Sequence, residues 1–174
     1  MSIASFEDAF ADIVGEEGKL SMDESDPGNW TGGVPHVGTL KGTKYGVSAK
    51  EYPALDIANL TLVQARAIAK RDYWDKVHGD ELPIATAFMM FDEAYNTGVE
   101  ESVKCAQAAL DLYPDGQLGP KTLAALKQTA GIEEKFGIGF TVHRVVAYSE
   151  MAGWKKEGSG WATRAVRTLA KAIT

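Results

Sequence analysis

The stretch from residue 84 to residue 96 constrains the fold most, because apolar residues occupy almost every face of a single helical segment. Its large or apolar members are Ile84, Ala87, Phe88, Phe91, Ala94 and Tyr95. A helix that is apolar on all sides belongs in the centre of a core. We therefore expect a mainly α protein that is built around this helix.

Apolar residues spaced three and four apart predict further helices. Their expected ranges are 5–17, 61–76, 99–112, 121–129, 133–152 and 161–173. Ser5 and Thr61 are the expected N-caps, and Pro120 stands where proline opens a helix. Gly18, Gly153 and the run 158–160 are the expected helix breaks. Each predicted helix carries one apolar face for packing.

Turn-forming residues predominate between residues 20 and 47, in contrast to the predicted helices. Asp26-Pro27-Gly28-Asn29 and Gly32-Gly33 are turn signals, and Thr43-Lys44-Tyr45 is a short strand-like piece between them. We expect a small β-hairpin or loop region near the N-terminus. A loop of this length is usually either functional or disordered.

Composition limits the class of protein. With 174 residues, one compact domain or two very small ones are expected, and Cys105 has no second cysteine for a disulfide. The net charge of −6 argues against a nucleic-acid partner. No apolar run approaches the roughly 18–20 residues that span a bilayer, so stable membrane insertion is not expected. The acidic N-terminal stretch lacks the features of a signal peptide, which predicts a cytoplasmic location.

Glu17 is the acid that the helical pattern singles out. If the first helix reaches residue 17, Glu17 projects from the apolar stripe of Phe6, Phe10 and Ile13. Burial and the negative end of the helix dipole would both raise its pKa, as a general acid at neutral pH requires. Alternatively, the helix ends before Glu17 and the side chain points into water.

The turn-rich segment supplies further polar and aromatic groups. Candidates for a second catalytic role lie in this segment, because glycoside hydrolysis pairs an acid with a base or nucleophile. They are Asp23, Glu24, Asp26 and Thr43. Aromatic rings pack well on sugar C–H surfaces, which makes four residues candidates for substrate contacts: Trp30, Tyr45, Tyr73 and Trp74. The alternative is that these rings lie in the core or at its rim.

Several of these residues stand in motifs that resemble a known family. Glu17-Gly18, Asp26-Pro27-Gly28 and residues 43–48 (T-K-Y-G-V-S) resemble the E-G-G-Y, D-P-G-G and T-K-Y-G-I-S signatures of glycoside hydrolase family 108. Lys19 and Leu20 replace the glycine and tyrosine of the first motif. The second half resembles the peptidoglycan-binding region that accompanies this family, on the motifs 96–98 (N-T-G), 115–122 (D-G-Q-L-G-P-K-T) and 160–164 (G-W-A-T-R).

The resemblance implies a lysozyme-like fold and an N-acetylmuramidase of the phage endolysin type. Residues 1–90 would form the catalytic region and residues 91–174 a peptidoglycan-binding-like helical region, packed together as one compact unit. Glu17 matches the catalytic acid, Asp26 and Thr43 match positions near it, and Asn96 is a candidate substrate contact. The enzyme would hydrolyse the β-1,4 bond between N-acetylmuramic acid and N-acetylglucosamine. A lytic transglycosylase and a non-catalytic peptidoglycan-binding protein remain as alternatives.

His36, His78 and His143 form no zinc-ligand spacing with Cys105, so neither a metal nor another cofactor is expected. We expect a monomer that stays in the host cytoplasm until a holin releases it to the periplasm and the wall. On the last predicted helix, Arg164, Arg167 and Lys171 accompany an apolar stripe. They are either the solvated face of a docked helix or a contact for anionic wall polymers.

Overall fold

Helices make up most of the chain. The computed structural model describes residues 3–15 and 19–174, within which lie seven α-helices and one two-stranded antiparallel sheet. The elements are α1 (Phe6–Val14), β1 (Thr43–Lys44), β2 (Val47–Ser48), α2 (Leu62–Ala69), α3 (Ile84–Thr97), α4 (Val99–Ala109), α5 (Pro120–Lys127), α6 (Glu133–Glu150) and α7 (Trp154–Ala172). The predicted mainly α class with a small β-hairpin is confirmed.

The chain divides into two compact units. Phe10–Ala69 forms one, which we call the loop unit. Lys70–Thr174 and the N-terminal residues up to Ala9 form the other, which we call the helical unit. The predicted boundary between a catalytic and a wall-binding region, at residues 90 and 91, falls inside α3. As an assignment of functions, that boundary stays a prediction.

α3 is the central helix of the helical unit, as its apolar composition predicted. Ten consecutive residues of this helix, from Ala85 to Ala94, are buried. It packs against α4, α6 and α7. The ring centroid of Phe91 lies 5.7 Å from that of Phe6 in a tilted arrangement. It lies 5.5 Å from that of Trp74 in an edge-to-face arrangement. Aromatic pairs in these arrangements add stability beyond the area that they bury.

Side-chain hydrogen bonds cap the first turns of α1 and α2. At α1 the Ser5 hydroxyl accepts from the Asp8 N–H at 3.3 Å and donates to the Asp8 carboxylate at 2.9 Å. At α2, Thr61 and Gln64 form a reciprocal pair, with backbone-to-side-chain distances of 2.9 and 3.2 Å. Both predicted N-caps are therefore found. The predicted helix 61–76 continues past Ala69 as a π-helical turn over Lys70–Trp74.

α1 is shorter than the predicted helix 5–17. It ends at Val14, and Gly15 adopts a φ of +59° while its N–H bonds the carbonyl of Ala11 at 3.0 Å. Glycine in this left-handed conformation is a common helix terminator. The prediction that the first helix runs unbroken to residue 17 was therefore wrong, and Glu17 itself lies outside the described residues.

The predicted break at residues 158–160 was also wrong, because these residues lie inside α7. Gly158 is buried against the indole of Trp154, one helical turn earlier. A Cβ at position 158 would approach the Trp154 ring to 2.5 Å. The glycine is thus required by packing within a continuous helix. The predicted break at Gly153 is correct, since it is the N-cap of α7.

No helix among the described residues is long and apolar enough to cross a membrane.

Candidate active site

Four of the predicted site residues lie in the described part of the loop unit: Asp26, Trp30, Thr43 and Tyr45. Glu17, the predicted general acid, lies outside the described residues. Tyr73 and Asn96 belong to the helical unit.

Asp26 caps a 3₁₀ turn over Pro27–Asn29. Its Oδ1 accepts the N–H of Gly28 at 2.8 Å, and its backbone carbonyl accepts the N–H of Asn29 at 3.1 Å. The aspartate thus organises the Asp-Pro-Gly motif from within. A capping role accounts for the aspartate at this position, and a catalytic role stays a prediction.

Thr43 is fixed by backbone pairing on both sides. It pairs with Ser48 across the β1–β2 hairpin and with Ser21 through two hydrogen bonds of 2.8 and 3.0 Å. Ser21 belongs to the segment that follows Glu17 by four residues. Backbone pairing therefore holds the Thr43 strand beside Ser21, four residues after the predicted acid in the sequence.

Asn29, which the sequence analysis did not select, joins the Asp26 turn to the Thr43 strand. It is fully buried, and its carbonyl accepts the N–H groups of Lys41 and Gly42 at 3.0 Å each. Its Nδ2 donates to the carbonyl of Asp23 at 2.9 Å. Among the described residues its Oδ1 has no hydrogen-bond partner. An asparagine after Pro-Gly gives no sign of this role in the sequence, because asparagine is common in any turn.

Tyr45 occupies a backbone conformation that disfavours its side chain. Tyr45 and Gly46 form the two-residue hairpin loop with φ values of +53° and +80°. These values fit a type I′ turn, in which asparagine or glycine is the usual first residue. A bulky residue at positive φ is uncommon and marks strain that the surrounding structure must hold. The Lys44 ammonium lies 5.5 Å from the centre of the tyrosine ring.

Trp30 holds the long turn-rich segment in place. Its indole N–H donates to the carbonyl of Glu24 at 2.9 Å, and its ring lies 5.0 Å from that of His36. Its backbone forms a bridge with Leu40, which closes the segment between them. The segment is therefore ordered by hydrogen bonds. The half-buried ring serves that closure, and a substrate contact by Trp30 stays a prediction.

Three candidate substrate contacts lie in the helical unit. Trp74 is only 1% exposed and its indole N–H donates to Asp80 at 2.7 Å, so it is a core residue, as the alternative interpretation of the aromatic rings predicted. The half-buried ring of Tyr73 meets the ring of Tyr95 edge to face, with centroids 4.9 Å apart. Asn96 is exposed near the end of α3, and its Nδ2 donates to the hydroxyl of Tyr148 at 3.1 Å. Burial raises the pKa of the Tyr95 hydroxyl well above its usual range, so this hydroxyl stays protonated at neutral pH.

Residues 10–98 match the family model for glycosyl hydrolase 108, a span that includes each of the predicted site residues. The chain belongs to this family. The chain is similar to a solved structure, that of Brucella abortus SagA, with a TM-score of 0.80 and 25% sequence identity. The match covers 97% of this chain and 93% of the SagA chain. No curated protein sequence matches the chain. The family makes the protein a glycoside hydrolase, and the superposition supports the lysozyme-like helical fold.

The helical unit of this glycoside hydrolase also contains a buried ionic network that the sequence analysis missed. Arg144 of α6 lies 2.6 Å from the Asp92 carboxylate and contacts Glu93. The hydroxyl of Tyr148 donates to Glu93 at 2.6 Å, and Arg164 of α7 donates to Asp92 at 2.7 Å. Two adjacent acids within an otherwise apolar helix were the available signal. The network ties α3 to α6 and α7.

The pKa values of the two acids in this network are shifted in opposite directions. Burial opposes ionisation of Asp92, but the guanidinium groups of Arg144 and Arg164 outweigh it and lower its pKa. Burial dominates at Glu93 and raises its pKa despite the attraction of Arg144. Arg164, whose side chain remains 36% exposed, thus pairs with a buried acid, and its expected role on a basic face stays a prediction.

The motif over residues 115–122 forms a hydrogen-bonded turn around Gln107 of α4. The Gln107 Nε2 donates to Asp115 at 2.7 Å and to Thr122 at 3.1 Å, and its Oε1 accepts the N–H of Gly116 at 2.9 Å. These contacts hold the turn that precedes α5, with Pro120 at its first helical positions as predicted. The peptidoglycan-binding function of this region stays a prediction.

Within the described residues, no group of three or more His, Cys, Asp or Glu side chains could hold a metal ion. Cys105 is buried in α4, and burial raises the pKa of its thiol to about 12.

Proposed function

We propose that the protein is an N-acetylmuramidase that hydrolyses the β-1,4 bond between N-acetylmuramic acid and N-acetylglucosamine in bacterial peptidoglycan. In this proposal Glu17 protonates the leaving oxygen, and Asp26 or Thr43 positions the second reactant. The observation that carries it is the family match over residues 10–98, which spans Glu17, Asp26 and Thr43. The ordered motifs around these three residues support the same assignment.

The loop unit supports this role through its order. A glycosidase must hold its acid and its second group at a set separation on the two sides of the bond. Asn29 and the Ser21–Thr43 pairing join the Asp26 turn, the Thr43 strand and the chain just after Glu17. Such a cross-linked framework favours a fixed constellation over a mobile binding loop.

The reaction products test the proposal. Purified peptidoglycan is digested, and the released fragments are analysed by mass spectrometry with and without borohydride reduction. Hydrolysis predicts reducing N-acetylmuramic acid ends, which gain two hydrogens on reduction. A lytic transglycosylase, the alternative enzyme on this bond, would leave 1,6-anhydromuramic ends that borohydride does not change.

The second candidate is a peptidoglycan-binding protein without catalysis, for which the motif over residues 115–122 is the observation. Its described contacts hold a turn, which a folding role explains without a ligand. Binding to insoluble wall without release of soluble fragments would favour this candidate. Clearing of outer-membrane-permeabilised cells would favour the enzyme.

The route to the wall is part of the proposal. A phage-type endolysin would remain in the host cytoplasm as a monomer until a holin opens the inner membrane. Expression of the full chain alone should then leave cells intact, and co-expression with a holin should lyse them. Lysis by the full chain alone, dependent on the host secretion machinery, would contradict this route.

A further inference from the structure

The loop unit contains an apolar pocket beside the Thr43 strand. This cavity of about 340 Å³, which we call the Lys41 pocket, is lined by Leu20, Met22, Leu40, Lys41, Leu55 and Ile57, among others. Its volume lies at the lower end of the range of small-ligand sites, roughly 300–1,000 Å³. Met22 remains 44% exposed beside it, although a methionine is more often buried.

Two lysines hold the segment that forms one wall of the pocket. The Nζ of Lys41 donates to the carbonyls of Pro53 and Leu55 at 2.6 and 3.4 Å, and the Nζ of Lys44 donates to the carbonyl of Ala58 at 2.9 Å. These bonds fasten residues 53–58 to the strand that carries Thr43. The pocket therefore has a preformed wall, which lowers the entropy cost of binding.

Residues of opposite charge, Lys41 and Asp56, are among those that line the pocket. An ammonium group has three donors, and among the described residues two of those on Lys41 point to carbonyls. Asp56 also lines the pocket and is exposed. Hydrogen bonds from Asn59, aided by Lys41 and Lys44, lower the pKa of the Asp56 carboxyl, so it is ionised at neutral pH. A ligand with small apolar groups, a carboxylate and an ammonium would complement all three features.

In the sequence, two residues that line the pocket are close to the proposed catalytic residues. Leu20, which lines it, follows Glu17 by three residues and stands where the family motif has tyrosine. Met22 follows Ser21, the backbone partner of Thr43. In peptidoglycan the lactyl group of N-acetylmuramic acid carries a short peptide stem of alanine and charged residues. The stem therefore offers the required chemistry one linkage from the sugar.

We propose that the Lys41 pocket binds the peptide stem of the wall substrate, with Lys41 meeting a stem carboxylate and Asp56 meeting a stem ammonium. This inference rests on the proposed muramidase function, because the stem is attached to the sugar that is cleaved. It makes the peptide, as well as the glycan, a determinant of substrate choice.

The kinetic test compares two substrates. One is glycan strands with intact peptide stems, and the other is the same strands after an amidase has removed the stems. The wild-type KM should be about tenfold lower for the strands with stems, which corresponds to about 1.4 kcal/mol. Ala58 lines the pocket and is exposed, so Ala58→Trp fills the cavity without replacing a packed side chain. In A58W the two KM values should become equal.

Two further variants make this result specific. Ala54→Trp fills the same pocket from another exposed position and should also remove the preference. Ala124→Trp adds the same ring to an exposed position on α5 and should retain the wild-type ratio. Equal KM values in the wild type, or a preference that survives in A54W and A58W, would overturn the inference.

Direct binding separates this inference from the proposed function. A synthetic tetrapeptide stem is titrated into the full chain with labelled methionine methyl groups. The Met22 methyl signal should shift saturably in the wild type and lose most of that shift in A58W. Absence of a saturable shift would overturn stem binding even if the chain cleaves glycan. Saturable binding without glycosidic cleavage would refute only the proposed function.

Discussion

The guanidinium of Arg144 lies 2.6 Å from the carboxylate of Asp92, with both side chains almost fully buried in the helical unit. Arg164 binds the same carboxylate from α7. Asp92 is therefore the common anion between α3, α6 and α7. Burial of charges is costly, but removal of one member leaves the others without compensation.

We predict that Asp92→Asn destabilises the protein by about 3 kcal/mol, because breaking a buried ion pair typically costs about 3–5 kcal/mol. Urea unfolding at pH 7 measures the change. Glu100→Gln is the control, since it removes the exposed partner of Lys104 and should cost less than about 1 kcal/mol. Equal losses of unfolding free energy in the two variants would show that the buried network stabilises the protein no more than an exposed ion pair.

The same variant should show a defined pH dependence. The pKa of Asp92 is lowered from 3.8 in the folded protein, so its ionised form stabilises the fold above the unfolded pKa. That stabilisation is lost as the pH falls through the folded pKa. The difference between wild type and D92N should therefore shrink as the pH falls below the unfolded value of 3.8. A difference that grows on acidification would contradict this assignment.

The sequence predicted elements whose signals are local. Period-3.6 apolar spacing located the helices, and Thr61 marked the start of α2. The strand-like piece Thr43-Lys44-Tyr45 was predicted one residue too long, because Tyr45 lies in the hairpin loop at positive φ. The ionic network could not be predicted in the same way. It depends on Arg144 and Arg164, which are 52 and 72 residues from Asp92 in the sequence and meet it only after folding.

Two glycines show where local rules fail. Gly15 ends α1 although Gly18 was the expected stop, and Gly158 lies inside α7 although it was expected to break a helix. Propensity treats every glycine alike, whereas the outcome depends on the φ angle and on the neighbouring side chain. Among the candidate site residues, sequence reasoning selected Asp26 and Thr43. It missed Asn29, which joins them, because a buried asparagine resembles any turn residue.

A matched pair of glycine substitutions tests the packing of α7. Gly160→Ala should stabilise the protein by roughly 0.5–1 kcal/mol, the usual gain in a helix interior, because nothing lies within 4 Å of its added Cβ. Gly158→Ala should instead destabilise it by about 1–3 kcal/mol, because its Cβ would meet the Trp154 ring. Thermal unfolding of both variants gives the comparison. A stabilised G158A would contradict the packing role of Gly158.

Tyr45 offers a test of strain in the hairpin. Tyr45→Asn places a residue that tolerates positive φ in the type I′ turn. We expect the Tm to stay at or above the wild-type value, because asparagine tolerates the positive φ. The KM for peptidoglycan should rise about tenfold, because the proposed contact between the Tyr45 ring and the substrate is lost. Tyr45→Phe keeps the ring and should retain a near-wild-type KM. A Y45N enzyme with unchanged kinetics would remove Tyr45 from the substrate site.

The most direct test of the central claim is the rate of glycosidic cleavage by Glu17→Gln, measured as reducing ends released from purified peptidoglycan. Glutamine has a similar shape but cannot act as a general acid, a role typically worth 10²–10⁴-fold in rate. Glu16→Gln is the matched control on the adjacent acid, with circular dichroism to check folding of both. We predict a loss of at least about 100-fold in E17Q and a near-wild-type rate in E16Q. A folded E17Q that cleaves at the wild-type rate would contradict the account.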